Sequence, residues 1–271
     1  MQHPSARVMG ILNATDDSFY PDSRVQTSER LIEKASEMLE QGASILDLGG
    51  CSTRPGCQVV DTETETARVI PAIQAVARAF PGVAISVDTF RASVAEQALD
   101  AGATIVNDIS GGDFDPDMFP LIARSKATYI LMHTRGLPHR MAALAQYDDV
   151  TAQVYEHLSV RLERLRGMGV EDVVIDPGFG FAKDTPQNFR LLRTLERFKG
   201  LGCPVLVGMS RKGMVWKTLG CDPQNALNGT TVVNTLALVA GADILRVHDV
   251  RPAVEAIRLV EAWKEGGDAS F

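Results

Sequence analysis

Apolar positions along the chain follow two alternating patterns. Short runs rich in Val, Ile and Leu recur at Val8–Leu12, Ile45–Leu48, Ala84–Val87, Thr104–Val106, Thr128–Met132, Val173–Ile175, Val205–Val207 and Ile244–Val247. Runs that are apolar on successive positions predict strands covered on both faces, as in parallel sheets. Between them the spacing becomes helical. Ser28–Gln41 sets Leu31, Ile32, Ala35, Met38 and Leu39 on one face, and Gly42 stops it. Thr62–Phe80 opens with Thr62 and Glu65 at capping-box spacing. Further helices are expected over Arg91–Asp100, Thr151–Met168, Pro186–Phe198, Asn225–Ala240 and Arg251–Trp263.

Strands that alternate with helices need crossover connections and therefore make a parallel sheet. Eight such units in 271 residues predict a single (β/α)8 TIM barrel over residues 1–271. A doubly wound sheet that binds a dinucleotide would carry a Gly-rich turn after its first strand. Here that turn is Asn13-Ala14-Thr15-Asp16-Asp17. A net charge of −7 argues against a general nucleic-acid surface, yet it permits a local cationic pocket for an anion. Cys51, Cys57, Cys203 and Cys221 form no C-x-x-C pair, so neither a zinc site nor a thioredoxin motif is indicated, and reduced thiols are expected. Met1–Arg7 has no apolar signal core, and no apolar run reaches membrane-spanning length. A soluble cytoplasmic protein is expected.

Barrel enzymes place their chemistry at the C-terminal ends of the strands. Those positions hold Asn13, Asp47, Asp88, Asn107, His133, Asp176, Ser210-Arg211-Lys212, Arg246 and His248. Most have a plain structural alternative. Asp88-Thr89 precedes a helix and suits an N-cap; Asn107-Asp108 suits a turn; Asp47 suits a backbone hydrogen bond at the rim. Asp176 resists such an account, because Pro177 follows and the next helix starts about ten residues on. Arg211 and Lys212 suit either a solvated loop or an anion. Arg246 and His248 alternate along one strand and share a face, which makes a second anion clamp if that face is the barrel mouth. His133 and His139 match no common zinc spacing, and His3 and His157 read as surface residues. The loops GGCSTRPG (Gly49–Gly56) and DPGFGFAK (Asp176–Lys183) are Gly-rich, the second with Phe179 and Phe181. Their compositions suit an anion nest and the wall of a flat-ring pocket, respectively.

In order along the chain stand GILNATDDSF, DLGGCSTRPG, SVDTFR, NDISG, LMHTRG, DPGFGF, VGMSRK and RVHDV. Together these segments resemble the dihydropteroate synthases, from Val8 to about Val260. The resemblance implies condensation of 6-hydroxymethyl-7,8-dihydropterin pyrophosphate with p-aminobenzoate, in folate biosynthesis, by way of an SN1-like pterin cation. It implies a pterin site of Asp88, Asn107, Met132, Asp176 and Lys212, with Asp88, Lys212 and Asp176 as the catalytic groups. Pyrophosphate is expected on Asn13, Thr53, Arg54, Arg246 and His248, with Asn13 helping to hold Mg2+. Aminobenzoate is expected among Phe19, Thr53, Pro55, Phe181, Lys212 and Gly213, with the loops of Asp17-Ser18-Phe19 and Thr53-Arg54-Pro55 closing over it. Inhibition by sulfonamides and a homodimer are further expectations of the family.

Two positions and one segment depart from the family pattern. Cys51 stands where Glu is common, Gly213 follows SRK where Ser is common, and TDDSFYPDS replaces TPDSFSDGG. These bear on aminobenzoate affinity more than on pterin binding. Two other readings remain at this point: a folate-dependent methyltransferase that serves a corrinoid protein, and a pterin-binding paralogue without synthase activity. SRK, RVHDV and STRPG speak against the first, whose reaction has no pyrophosphate to hold.

Overall fold

Eight parallel strands form the wall: β1 (Arg7–Asn13), β2 (Ile45–Gly49), β3 (Ala84–Asp88), β4 (Ile105–Asp108), β5 (Thr128–Met132), β6 (Val173–Asp176), β7 (Leu206–Val207) and β8 (Ile244–Val247). The structure, a computed structural model, describes residues 6–13, 24–50, 60–137 and 140–266. Strand order is β6-β5-β4-β3-β2-β1-β8-β7, and a parallel bridge between Ile175 and Val205 brings β6 to the segment that enters β7. The sheet is thus a closed (β/α)8 barrel, and closure removes the unpaired edges an open sheet would expose.

The surrounding helices are α1 (Arg24–Glu40), α2 (Thr62–Ala79), α3 (Ala92–Asp100), α4 (Met118–Ser125), α5 (Val150–Gly167), α6 (Thr185–Arg193), α7 (Gly213–Leu219), α8 (Leu227–Val239) and α9 (Val250–Gly266). Two of them, α4 and α7, escape the periodicity because each spans about two turns. The expected Pro186–Phe198 helix divides at Thr194, and Leu195–Leu201 continues as a 3-10 helix. The cap of α2 also differs. Asp61, one residue before the expected Thr62, accepts from the Thr64 N–H at 2.7 Å. Glu65 leaves the capping role and pairs with Arg91 while almost fully buried. A carboxylate at the N-cap outcompetes a hydroxyl for the orphan N–H groups because it also meets the positive end of the helix dipole.

Alternation along each strand sorts the side chains. Outward residues such as Leu46, Val87, Val106 and Leu131 pack on helix residues such as Ile73, Val94 and Leu158 in the main core. Each such side chain contributes roughly 1.5–3 kcal/mol by leaving water. Inward, every strand supplies one apolar residue to a plug: Met9, Ile45, Ala84, Ile105, Ile130, Val174, Leu206 and Ile244. Two residues further along, the same inward phase reads Ile11, Asp47, Ser86, Asn107, Met132, Asp176, Gly208 and Arg246. A dry floor therefore lies directly beneath a polar layer at the C-terminal mouth.

Candidate active site

Arg246 is the centre of that layer. Its Nε donates to Asp47 Oδ2 at 2.6 Å and its Nη2 to Asp88 Oδ2 at 2.7 Å. Burial opposes its charge, but the two carboxylates hold it protonated. Asn107 Nδ2 adds a longer bond to Asp47 Oδ2 at 3.3 Å. Asp47 therefore bonds side chains inside the barrel, not backbone at its rim. Asp88 is no N-cap either, since Arg91 occupies that position for α3. The Asn107-Asp108 pair divides its roles. Asp108 is the turn former, accepting from Ser110 and Gly112 N–H groups and from the Tyr129 hydroxyl. Asn107 points inward.

Two carboxylates share one guanidinium, so the cluster keeps an excess of negative charge. Asp47 Oδ1 and Asp88 Oδ1 are buried and have no hydrogen-bond partner among the described residues. Burial pushes the Asp88 carboxyl up to about 7; Arg246 pulls against this and Asp47 adds to it. Buried, unpaired acceptors of this kind cost free energy in the empty protein and reward a ligand that brings donors or positive charge.

Asp176 follows on β6, beside Met132 on β5. Burial raises its carboxyl; Lys212 and the Gly178 N–H, which donates at 2.7 Å, work against that rise. Lys212 reaches across from the loop after β7, donates to the Phe179 carbonyl, and stands 4.5 Å above the Phe181 ring. Burial lowers its ammonium to about 8, with Asp176 opposing. Arg211, its neighbour, is diverted instead. It binds Asp249 through two nitrogens at 2.8 and 2.9 Å, and also the carbonyls of Pro223 and Gln224, so it belongs to the scaffold. Gly208 was not singled out by its sequence. It lies in the inward phase between Arg246 and Lys212, where its missing side chain keeps a slot open. Phe181 closes one side of that slot, packed with Phe90, Ile109, Met132 and Met141.

The mouth thus unites Asp88, Asn107, Met132, Asp176, Lys212 and Arg246. Asn13 is exposed at the end of β1, and His248 stands above Arg246 with its Nδ1 3.1 Å from Ser210 Oγ. Gly213 opens α7 immediately after Lys212. Phe19, Thr53, Arg54 and Pro55, with Asp17, Ser18, Cys51, Cys57, His3 and His139, lie outside the described residues. His157 is not the surface residue its sequence suggests. Its ring meets His133 edge-on at 4.6 Å, and burial lowers it to about 4. His133 Nδ1 is taken by Lys183 at 2.9 Å. Among the described residues no group of three His, Cys, Asp or Glu side chains can hold a metal ion, and no helix is long and apolar enough to cross a membrane.

A slot floored by a methionine, edged by buried carboxylates and an amide, and backed by a lysine suits a flat ring rich in N–H donors. Comparison with known proteins agrees. Residues 9–248 match the family described as pterin binding enzyme. A dihydropteroate synthase of Synechocystis sp. is 44% identical over 261 residues, covering 95% of this chain and 90% of the relative. The structure of Yersinia pestis dihydropteroate synthase in complex with a sulfonamide drug has a TM-score of 0.89 at 37% identity, covering 96% of this chain and 95% of that one. The Xanthomonas albilineans enzyme in complex with 7,8-dihydropteroate has a TM-score of 0.85 at 35% identity, covering 96% and 94%.

Proposed function

The chain belongs to the pterin-binding enzyme family, among its dihydropteroate synthases, and from that premise we propose a role for each group in the barrel mouth. The reaction joins 6-hydroxymethyl-7,8-dihydropterin pyrophosphate to p-aminobenzoate, giving 7,8-dihydropteroate and pyrophosphate. The observation that carries the assignment is the polar inward layer set on the apolar plug, with two carboxylate oxygens left unpaired among the described residues. The chain acts as one pterin-binding domain. Asp176 accepts adjacent N–H groups of the pterin edge, Asn107 and Lys212 complete the polar contacts, and Met132 lies against the ring face. Arg246, His248, Asn13, Thr53 and Arg54 hold the pyrophosphate. Phe19, Thr53, Pro55, Phe181, Lys212 and Gly213 surround the aminobenzoate.

The C–O bond breaks first, and its electron pair leaves with pyrophosphate. Asp88, in a cluster with excess negative charge, stabilises the pterin cation that remains. The aminobenzoate nitrogen then forms the C–N bond and loses a proton. Asn13 offers a single neutral oxygen at the rim. Such a donor fits a Mg2+ whose other positions are filled by phosphate oxygens and water. The ion would neutralise charge on the leaving group while Asn13 orients it.

The decisive assay mixes the protein with pterin pyrophosphate, p-aminobenzoate and Mg2+ and follows dihydropteroate by mass. Product is expected from the native chain and not from Lys212→Ala, and a sulfonamide well above the aminobenzoate concentration is expected to suppress it. Absence of product with pterin binding intact would refute the synthase reading. The pH profile is a second check. kcat/KM is expected to rise through about pH 7 as Asp88 ionises and to fall through about pH 8 as Lys212 loses its proton. A profile flat from pH 6 to pH 9 would exclude these roles.

The protein is expected in the cytoplasm as a homodimer. Val232, Leu236 and Val239 on α8, and Leu259 and Trp263 on α9, leave large apolar side chains exposed at helical spacing, Leu259 at 71% and Trp263 at 65%. Stripes of this kind mark association surfaces. Trp263→Glu is expected to give a monomer in sedimentation experiments; an unchanged dimer would move the interface elsewhere.

A further inference from the structure

Lys183 is buried, with 8% of its surface exposed, and has no part in the reaction just described. Its Nζ lies 2.9 Å from the Gly178 carbonyl, 3.0 Å from the Phe181 carbonyl, 2.9 Å from His133 Nδ1 and 3.5 Å from the His133 carbonyl. We propose that Lys183 is a positioning residue of the pterin site, holding the 177–182 loop in the one shape that presents Asp176 and Lys212 to the ring. The inference rests on the pterin-binding reading of those two residues.

The loop needs such a restraint. Gly178, Gly180 and Ala182 all have left-handed backbones, with φ of 73°, 78° and 48°. The last is unfavourable for a residue with a Cβ and persists only where surrounding contacts impose it. The two loop carbonyls that Lys183 binds bracket Phe179 and Gly180. The Phe179 carbonyl accepts from Lys212, and the Gly178 N–H donates to Asp176. One ammonium therefore fixes both points at which the loop touches the site. The fit is close on either side: a Cβ at Gly178 would lie 1.9 Å from the His133 carbonyl, and one at Gly180 would lie 2.9 Å from Lys212 Cδ.

The three shorter contacts match the three protons of an ammonium. Burial above all, with Lys212 and Arg135, holds its pKa well below the ordinary lysine value, while Asp176 acts to keep the charge. A charged Lys183 leaves His133 Nδ1 as an acceptor, which places the imidazole proton on Nε2. This tautomer is a signature that a purely space-filling side chain would not impose.

The test compares native protein with Lys183→Met, which keeps the aliphatic stem and removes the donors. Dissociation constants for dihydropterin pyrophosphate are measured by calorimetry at a temperature where both are folded, and histidine ring nitrogens are read by 15N NMR. The expected result is affinity weaker by about tenfold or more, with native His133 protonated on Nε2 and the variant ring released from that state. If Lys183→Met does not fold, Lys183→Leu, which likewise removes the donors, is read on the same scale. Affinity within twofold of native in a folded variant, or a native His133 with its proton on Nδ1, overturns the proposal. A native protein that binds no pterin pyrophosphate would refute the pterin reading itself, separately from the tautomer.

Discussion

Asp176→Ala is expected to lower kcat/KM for the pterin substrate by roughly 10²–10⁴-fold. A bidentate carboxylate makes two charge-assisted hydrogen bonds, each contributing about 1.5–3 kcal/mol, and every 1.4 kcal/mol is tenfold. The folded protein should not suffer equally. Burial disfavours the Asp176 charge more than Lys212, the Gly178 N–H, Arg246 and Lys183 together favour it. Asp176→Asn, which keeps the shape without the charge, is therefore expected to raise the melting temperature while losing most of the activity. Calorimetric titration, steady-state kinetics and thermal unfolding on the same preparations check both halves. An efficiency within tenfold of native in Asp176→Ala would remove Asp176 from the pterin contact.

Arg246→Met should have the largest effect on stability. It takes the shared partner from Asp47 and Asp88, both almost fully buried. Breaking a buried ion pair from one side costs about 3–5 kcal/mol because it leaves charge uncompensated. For a chain of this size that corresponds to a fall of roughly 6–20 °C in melting temperature. The pH dependence has a definite sign. Asp88 already titrates at about 7, above its ordinary 3.8, so its contribution to stability is complete below the lower value and fades as pH rises through the higher one. Arg246 pulls against that rise, so without it the Asp88 carboxyl rises further. The deficit of the variant should therefore be greatest above pH 7 and shrink toward pH 4. Adding Asp47→Asn should recover part of it at neutral pH, a coupling expected only of groups in contact. A deficit independent of pH would mean that Arg246 acts through packing and not through charge.

Legibility from sequence differed from residue to residue. The barrel could be read because its strands are apolar on successive positions and its helices keep their spacing, both local properties of the chain. Asp88, Asn107, His133 and Asp176 were likewise visible as the first polar residue after an apolar run, and Asp47 and Arg246 as the one polar residue inside a run. What such a group does was not visible. Asp47, Asp88 and Asp108 occupy similar places in sequence, yet two lie on Arg246, while Asp108 shapes a turn. Arg211 and Lys212 are neighbours, yet one belongs to the scaffold and the other to the site.

The sequence by itself determined the alternation of elements, the fold class and, through ordered motifs, the family. Only the tertiary structure decided that Arg246 serves two carboxylates from β2 and β3, that Gly208 leaves the slot open, that His157 is covered, and that Lys183 clamps a loop of left-handed residues. The physical reason is the same in each case. Propensity and periodicity act over a few residues, whereas the partner that sets a side chain's charge and orientation arrives from elsewhere in the chain, 24 residues away for His157 and His133 and 199 for Arg246 and Asp47.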